Sequence, residues 1–211
     1  YESSDDKHLV IKLGSGYNAG INIDEIQEIQ VVSSSEVKPK QSQEKKDDPT
    51  LPKILLLSTG GTIASKVDYR TGAVTPALSA SDLNEAVPEL GKIANIDTEV
   101  LFSEYSENLQ PEHWTKIAEK LDSLANSDYQ GILIAHGTDT MHYTSSFLSF
   151  ALAGFPIPVA LVGSQRSSDR PSSDAAINLI AASKFLVESN TKGVFLVMHH
   201  NDNDQTVACH A

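Results

Sequence analysis

The sequence predicts a doubly wound, mostly parallel α/β sheet preceded by the tail of a small β-barrel. From residue 51 onward, short apolar runs alternate with helical patterns, which is the alternation expected of an α/β sheet. Most of these runs are continuously apolar, as in strands that are buried on both faces of a parallel sheet. The first 32 residues differ, because they contain only short β-like segments around a glycine-containing turn.

The amino-terminal segment, residues 1–32, is too small to bury a core alone. Residues 8–13 alternate roughly between apolar and polar side chains, residues 14–18 favour a turn, and residues 19–23 resume the strand pattern. We therefore expect the last part of a small β-barrel whose first strands are missing. Residues 33–50 are rich in charge and poor in apolar side chains, which predicts a flexible linker; a long surface loop is the alternative.

The segment from residue 51 to residue 211 is predicted to form the α/β domain. Five runs are candidate strands: residues 54–58, 98–102, 131–135, 158–162 and 194–198. Pro111 suits the first turn of a helix, and the apolar residues that follow it share one face: Trp114, Ile117, Ala118, Leu121 and Leu124. Two further helices are predicted over residues 141–153, closed by Gly154, and over residues 173–188.

The composition restricts the possible functions. A net charge of −12 over 211 residues argues against direct binding of a nucleic acid backbone, which requires clustered Lys and Arg. No apolar stretch approaches the roughly 20 residues that span a membrane, so no membrane association is expected. Cys209 is the only cysteine and cannot form an intrachain disulfide, which favours a reducing cytosol.

Two strands end in loops of unusual composition. Residues 59–62 read Thr-Gly-Gly-Thr after the first strand, and residues 136–140 read His-Gly-Thr-Asp-Thr after the third. Ligands of open α/β sheets bind outside the carboxyl ends of the strands, near a topological switch point. Glycines there let the backbone approach a ligand closely, so we expect Gly61 and Gly137 to lie against a substrate. Hydroxyl groups and one carboxylate then converge in one pocket.

Other interpretations of these loops stay open. Thr and Asp in front of a helix are routine N-caps, each worth about 1 kcal/mol. A phosphate-binding loop is the weaker alternative, because the first loop lacks the Lys that follows the glycines of a P-loop. His136 is expected to be a structural hydrogen-bonding residue. No metal is expected, because the spacing of the histidines and the lack of paired cysteines disfavour a zinc site. The histidines considered are His136, His142, His199, His200 and His210.

Both loops resemble signatures of the bacterial-type L-asparaginases. Residues 57–64 (LSTGGTIA) resemble the first signature and residues 136–141 (HGTDTM) the second, each at the right place in the strand order. Residues 162–175 (VGSQRSSDRPSSDA) resemble, more narrowly, the asparaginase-like D subunits of archaeal glutamyl-tRNA(Gln) amidotransferases. Residues 11–21 resemble the last part of the SH3-like β-barrel that precedes the asparaginase-type domain in those subunits and that ordinary asparaginases lack.

The resemblance implies a set of catalytic residues. The second Thr of the Thr-Gly-Gly-Thr loop is the nucleophile in this family, so Thr62 takes that role, with help from a neighbour because a threonine hydroxyl is weakly nucleophilic. The family's nearby Tyr corresponds to Tyr69. The second hydroxyl, on Thr138, pairs with Asp139 and with a Lys from later in the chain. Which threonine attacks first stays open.

The same resemblance implies how free glutamine or asparagine would bind. Asp139 fits the α-ammonium group and Ser106 fits the α-carboxylate, both of which need partners once they are desolvated. Glu107 stands where asparaginases often carry Gln, and adds a second acceptor for the ammonium. An ordinary polar loop before a helix is the alternative interpretation of Ser106 and Glu107.

The family's catalytic Lys lies beyond the fifth strand, whereas no Lys follows Lys192 in this sequence. We therefore expect a fragment that is truncated at both ends, stopping before that Lys and before the smaller C-terminal domain of the family. We also expect this fragment alone to release no ammonia from glutamine or asparagine.

The function implied by the resemblance is a glutaminase/asparaginase subunit that supplies ammonia for converting Glu-tRNA(Gln) to Gln-tRNA(Gln). Such a protein is cytoplasmic, self-associates as a dimer and joins a tRNA-binding E-type subunit in a heterotetramer. No cofactor is then expected in this chain, because ATP and Mg belong to the partner subunit. A stand-alone cytosolic L-asparaginase is the alternative within the enzyme class. A non-catalytic amino-acid-binding or scaffold protein is disfavoured by the joint presence of Thr62, Thr138 and Asp139.

Overall fold

The chain divides into two compact units, which are described separately. The first comprises Tyr1–Glu44 with Val67–Thr75, and the second Lys45–Lys66 with Pro76–Ala211. The computed structural model describes residues 8–12, 18–28, 47–61, 63, 65–68, 73–76, 87–165, 173–200 and 206–211.

The first unit contains an antiparallel pair of strands, β1 (His8–Lys12) and β2 (Asn18–Asn22). A short 3-10 turn, Ile23–Glu25, follows β2, and the Asn22 side chain accepts a hydrogen bond from the backbone N–H of Asp24. Both predicted strands are confirmed. Most of the predicted turn lies outside the described residues, and membership of these strands in a β-barrel stays a prediction.

The described residues of the second unit build a six-stranded sheet in the order β10-β9-β8-β7-β3-β6. Neighbouring strands are parallel throughout, except that β10 runs antiparallel to β9. The strands are β3 (Lys53–Gly60), β6 (Asn95–Glu104), β7 (Gly131–Ala135), β8 (Val159–Val162), β9 (Val194–His199) and β10 (Thr206–His210). Two shorter strands, β4 (Ser65–Asp68) and β5 (Ala73–Pro76), belong mostly to the first unit and form a separate two-stranded sheet. The predicted mostly parallel sheet is confirmed.

Helices pack on both faces of the main sheet. They are α1 (Pro111–Ser123), α2 (Met141–Ala151) and α3 (Ala175–Glu188). Alternate residues of β3 point to opposite faces: Ile54 and Leu56 belong to the core under α3, whereas Leu55 and Leu57 belong to the core under α1 and α2. The continuous apolar run in β3 therefore reflects burial on both faces, as predicted for a doubly wound sheet.

The end of the predicted linker is attached to the amino end of β6. The Asn95 side chain accepts a 3.0 Å hydrogen bond from the Asp48 N–H and donates to the carbonyls of Asp48 and Leu51, at 2.7 and 3.2 Å. Residues 29–46 lie outside the described part of the chain. Within that part, the helices are too short or too polar to cross a membrane.

Candidate active site

The carboxyl ends of β3 and β7 form a topological switch point. From β3 the chain first continues to β6 on one side of it, and then crosses to β7 on the other side. The direction in which strands are added to the sheet therefore reverses between β3 and β7. Ser58 lies opposite Ala135, the last residue of β7, so the loops that follow the two strands begin side by side. Both predicted loops therefore lie at the carboxyl ends of the strands, where α/β proteins bind ligands.

The two loops pack against each other through their backbone atoms. A Cβ atom added at Gly61 would lie 2.7 Å from the backbone nitrogen of Gly137 and 2.9 Å from the carbonyl carbon of His136. Gly61 also has a φ of +78°, in the left-handed region that residues with a side chain rarely adopt. The close approach and the backbone conformation each require glycine at this position.

The first threonine of the Thr-Gly-Gly-Thr loop has a structural role. Thr59 is 2 % exposed, and its hydroxyl donates a 2.9 Å hydrogen bond to the carbonyl of Ala135. This bond ties the end of β3 to the end of β7. Thr62 and Tyr69, predicted as the nucleophile and its neighbour, lie outside the described residues, so their roles stay predictions.

Ser106 is buried at the start of a 3-10 turn, Ser106–Asn108, that follows β6. A Cβ atom added at Gly137 would lie 2.7 Å from the Ser106 Oγ, so the β7 loop packs against this side chain. The Thr140 hydroxyl donates a 2.8 Å hydrogen bond to the Ser106 carbonyl. Thr140 occupies the N-cap position of α2, but among the described residues its side chain makes no capping hydrogen bond to that helix.

Thr138 is half-buried and packs against the end of β8. A Cβ atom added at Gly163 would lie 2.8 Å from the Thr138 Cγ2, so the threonine methyl contacts the Gly163 backbone. The adjacent Asp139 is exposed, and so is Glu107 beside Ser106. The structure brings together four predicted site residues: Gly61, Ser106, Gly137 and Thr138.

A chain of buried hydrogen bonds supports the β7 loop from beneath. The Trp114 indole N–H donates to the Thr144 hydroxyl at 3.0 Å, and that hydroxyl lies 2.9 Å from Nε2 of His136. The other ring nitrogen, Nδ1, lies 2.7 Å from the Gly137 carbonyl. Because a carbonyl only accepts, Nδ1 carries the proton and Nε2 accepts from Thr144. The predicted structural role of His136 is confirmed; among the described residues, no three His, Cys, Asp or Glu side chains form a metal-binding group.

The pH dependence of folding stability is expected to report on His136. Burial lowers the pKa of its imidazole from 6.5, while the bond to the Gly137 carbonyl acts in the opposite direction. The folded state therefore takes up this proton less readily than the unfolded state. The corresponding stability is present above about pH 6.5 and is lost progressively as the pH falls below that value.

This expectation is measured as the urea midpoint of the full-length protein between pH 7.5 and pH 5.5, for the wild type and His136→Gln. We expect a smaller decline in the midpoint for the variant over this range. His142→Gln, at an exposed position of α2, is the matched control and should keep the decline of the wild type. An equal decline in all three proteins would contradict the expectation.

Three polar residues that sequence reasoning did not assign to the site lie where β8 and β9 end and the next helix begins. Asp174 precedes α3, Asn178 lies one turn further along the helix, and His199 ends β9. Asn178 is fully buried, and its amide donates to the carbonyl of Gly163 at 3.0 Å. The sequence did contain a sign of this role, because Asn178 is the only polar residue in the run from residue 175 to residue 182. A polar side chain on a buried helix face needs specific hydrogen-bond partners.

The sheet and its converging loops define an asparaginase-type α/β domain. The model of the family described as "Asparaginase, N-terminal" matches residues 53–209, and that of the "GatD N-terminal domain" matches residues 1–32. The chain therefore belongs to the asparaginase family. Among solved structures, it is similar to the thermostable L-asparaginase from Thermococcus kodakarensis (38% identity, TM-score 0.59, covering 68% of this chain and 43% of that one). A probable cytoplasmic L-asparaginase from Campylobacter jejuni also has a TM-score of 0.59, with 32% identity over 73% of this chain and 52% of that one.

Within that family, the chain is similar over its whole length to the D subunits of glutamyl-tRNA(Gln) amidotransferases. It is 50% identical to the D subunit from Pyrococcus furiosus and 49% identical to the one from Thermococcus kodakarensis. Each comparison covers 100% of this chain and 48% of the relative, so the chain spans about half the length of these relatives. The predicted resemblance to the D subunits is confirmed.

Proposed function

We propose that the full-length protein hydrolyses the side-chain amide of free glutamine or asparagine and supplies the ammonia for converting Glu-tRNA(Gln) to Gln-tRNA(Gln). The observation that carries this proposal is the convergence of Gly61, Ser106, Gly137 and Thr138 at one switch point. The similarity of the whole chain to the amidotransferase D subunits favours tRNA amidation as the use of this ammonia.

In the proposed reaction, the hydroxyl of Thr62 attacks the amide carbon and loses its proton to a neighbouring base. The C–N bond breaks and the nitrogen, once protonated, leaves as ammonia. Water then hydrolyses the acyl-enzyme ester, releases the acid and restores the hydroxyl. Tyr69 and the Thr138–Asp139 pair are the proposed groups for moving these protons.

Substrate recognition is proposed to use the loop after β6 together with the β7 loop. The Ser106 hydroxyl, close to Gly137, is the proposed partner of the substrate α-carboxylate. The exposed carboxylates of Asp139 and Glu107 are the proposed partners of the α-ammonium. These assignments place a donor for the anionic group and acceptors for the cationic group, as a desolvated amino acid requires.

The proposed division of labour follows from charge. A chain with a net charge of −12 is poorly suited to bind tRNA itself, so tRNA, ATP and Mg are assigned to an E-type partner subunit. We propose a cytoplasmic heterotetramer that contains a dimer of this protein.

The test is ammonia release and Gln-tRNA(Gln) formation by the full-length protein, with and without the tRNA-binding partner. We expect Gln-tRNA(Gln) to form only when both subunits, glutamine, ATP and Mg are present. Loss of product on omitting glutamine would show that the amide is the nitrogen source. Amidation of the tRNA without this protein, from glutamine alone, would contradict the proposal.

A stand-alone L-asparaginase is the second candidate, and the similarity to two solved L-asparaginases favours it. The same assay separates the two functions. Efficient ammonia release without a partner, together with no stable association in size-exclusion chromatography, would favour the stand-alone enzyme.

A further inference from the structure

We propose that Asp174 and Asn178 form a clamp that holds the Gly163 backbone against the methyl group of Thr138. In this way the clamp positions the Thr138 hydroxyl. The inference rests on the proposed amide hydrolysis, in which Thr138 moves a proton. Asp174 and Asn178 act on Thr138 through the Gly163 backbone, so both are positioning residues.

The clamp binds the backbone beyond β8 at two points. The Asp174 carboxylate accepts from the backbone N–H of Gln165, with both of its oxygens 3.0 Å from that nitrogen. The Asn178 amide donates to the Gly163 carbonyl at 3.0 Å and to the Asp174 Oδ2 at 2.8 Å. One carbonyl and one N–H of a short loop are thus fixed by two side chains that lie one helical turn apart.

The same clamp holds the end of β9. The Asn178 Oδ1 accepts a 2.8 Å hydrogen bond from the backbone N–H of His199. The His199 Nδ1 lies 3.0 Å from the Asp174 Oδ2, a contact that becomes an ion pair when the imidazole is protonated. The carboxyl ends of two adjacent strands are therefore fixed to the first turn of α3.

Helix attachment alone does not account for Asn178. The helix already buries an apolar face against the sheet through Leu179, Ala182 and Leu186, each at most 3 % exposed. A fully buried amide adds desolvation cost unless its hydrogen bonds are made, and these bonds go to strand ends. We therefore assign Asn178 to fixing the strand ends rather than to anchoring the helix.

The link to Thr138 follows from the geometry of a β-branched side chain. The methyl and hydroxyl of threonine share one Cβ, so fixing the direction of the methyl also fixes the direction of the hydroxyl. The Gly163 backbone contacts the Thr138 methyl, as the added-Cβ distance of 2.8 Å to Cγ2 shows. Moving Gly163 therefore frees the hydroxyl to leave its orientation.

The first test measures kcat and KM for glutamine hydrolysis by the full-length complex carrying Asn178→Ala. We expect kcat to fall by about 10- to 100-fold, because small misplacements of reacting groups have effects of that order. KM is expected to stay within about twofold, since the proposed partner of the substrate carboxylate, Ser106, makes no contact with the clamp among the described residues. An unchanged kcat in a folded variant would overturn the proposal.

Leu186→Ala is the matched control for lost packing on the same helix. Leu186 contacts Gly131 at the amino end of β7, far along the strand from the site, and is 3 % exposed. We expect a lower melting temperature with unchanged kcat and KM. A fall in kcat equal to that of Asn178→Ala would overturn the clamp and reduce its role to general stability. Asp174→Asn, which keeps an acceptor for the Gln165 N–H, serves if Asn178→Ala does not fold, and is expected to lower kcat by a smaller factor.

A second readout does not depend on activity. The Thr138 methyl signal, assigned with Thr138→Val, is followed by NMR in threonine methyl-labelled protein. We expect it to shift in Asn178→Ala and to remain in place in Leu186→Ala. An unmoved signal in Asn178→Ala would refute the clamp even if kcat fell. If the wild-type complex hydrolyses no amide, the proposed function fails, while this measurement still decides whether Asn178 positions Thr138.

Discussion

Replacing Thr138 with Val in the full-length protein is expected to lower the rate of glutamine or asparagine hydrolysis by about a thousandfold, since a positioned acid–base group contributes roughly 10²- to 10⁴-fold. Val keeps the β-branched shape and so keeps the methyl that contacts Gly163. A second methyl group takes the place of the hydroxyl, so the group that is proposed to move a proton is lost. The measurement is steady-state ammonia release by the complex.

The matched control is Thr115→Val, at an exposed position of α1 where the hydroxyl donates to the Pro111 carbonyl. This variant should hydrolyse amides at the wild-type rate. If Thr138→Val folds and keeps full activity, Thr138 has no place in the mechanism and the proposed role of the β7 loop is wrong.

Replacing Gly61 with Ala is expected to abolish measurable amide hydrolysis and to lower the unfolding free energy. The left-handed backbone costs about 1–2 kcal/mol for a residue with a Cβ. Overlap of that Cβ with the Gly137 backbone adds roughly 1–3 kcal/mol, typical of an overpacked interior. The β3 and β7 loops must then separate, which moves Thr138 relative to the end of β3.

Gly154→Ala isolates the two contributions. Gly154 has a φ of +83°, close to the +78° of Gly61, but a Cβ there meets nothing within 4 Å among the described residues. We expect this control to lose about 1–2 kcal/mol from backbone strain alone and to keep full activity. Equal stability losses and equal activities in the two variants would mean that contact between the loops is unimportant.

Much of the fold was predictable because strands that are buried on both faces of a sheet are continuously apolar in sequence. The run from Ile54 to Leu57 supplies both core layers in alternation, so apolar continuity alone predicted a strand buried on both faces. β10 was not predicted, because it is short and its residues from Val207 to His210 are exposed, so no buried face marks it as a strand.

Parts of the candidate site that depend on local sequence were predictable, whereas contacts between segments distant in sequence were not. The convergence of the β3 and β7 loops was predictable, because ligand-binding loops of an α/β sheet follow the carboxyl ends of its strands. The packing of Gly61 on the Gly137 backbone was not predicted, because both glycines were expected to lie against a substrate. The hydrogen bond from Thr59 to Ala135 was not predictable, because it depends on the register of β3 against β7. Asn178 was missed for a similar reason, since its partners Gly163, just after β8, and His199, at the end of β9, lie 15 and 21 residues away in sequence.

Backbone atoms, rather than side chains, form the surface where the β3 and β7 loops meet. A surface of this kind has no groups left to trim, because glycine is already the smallest residue. Attempts to admit a bulkier amide by shortening side chains at this meeting point should therefore fail. A larger version of the proposed substrate would instead require a longer loop, and the choice between glutamine and asparagine would be changed through the proposed substrate-binding side chains.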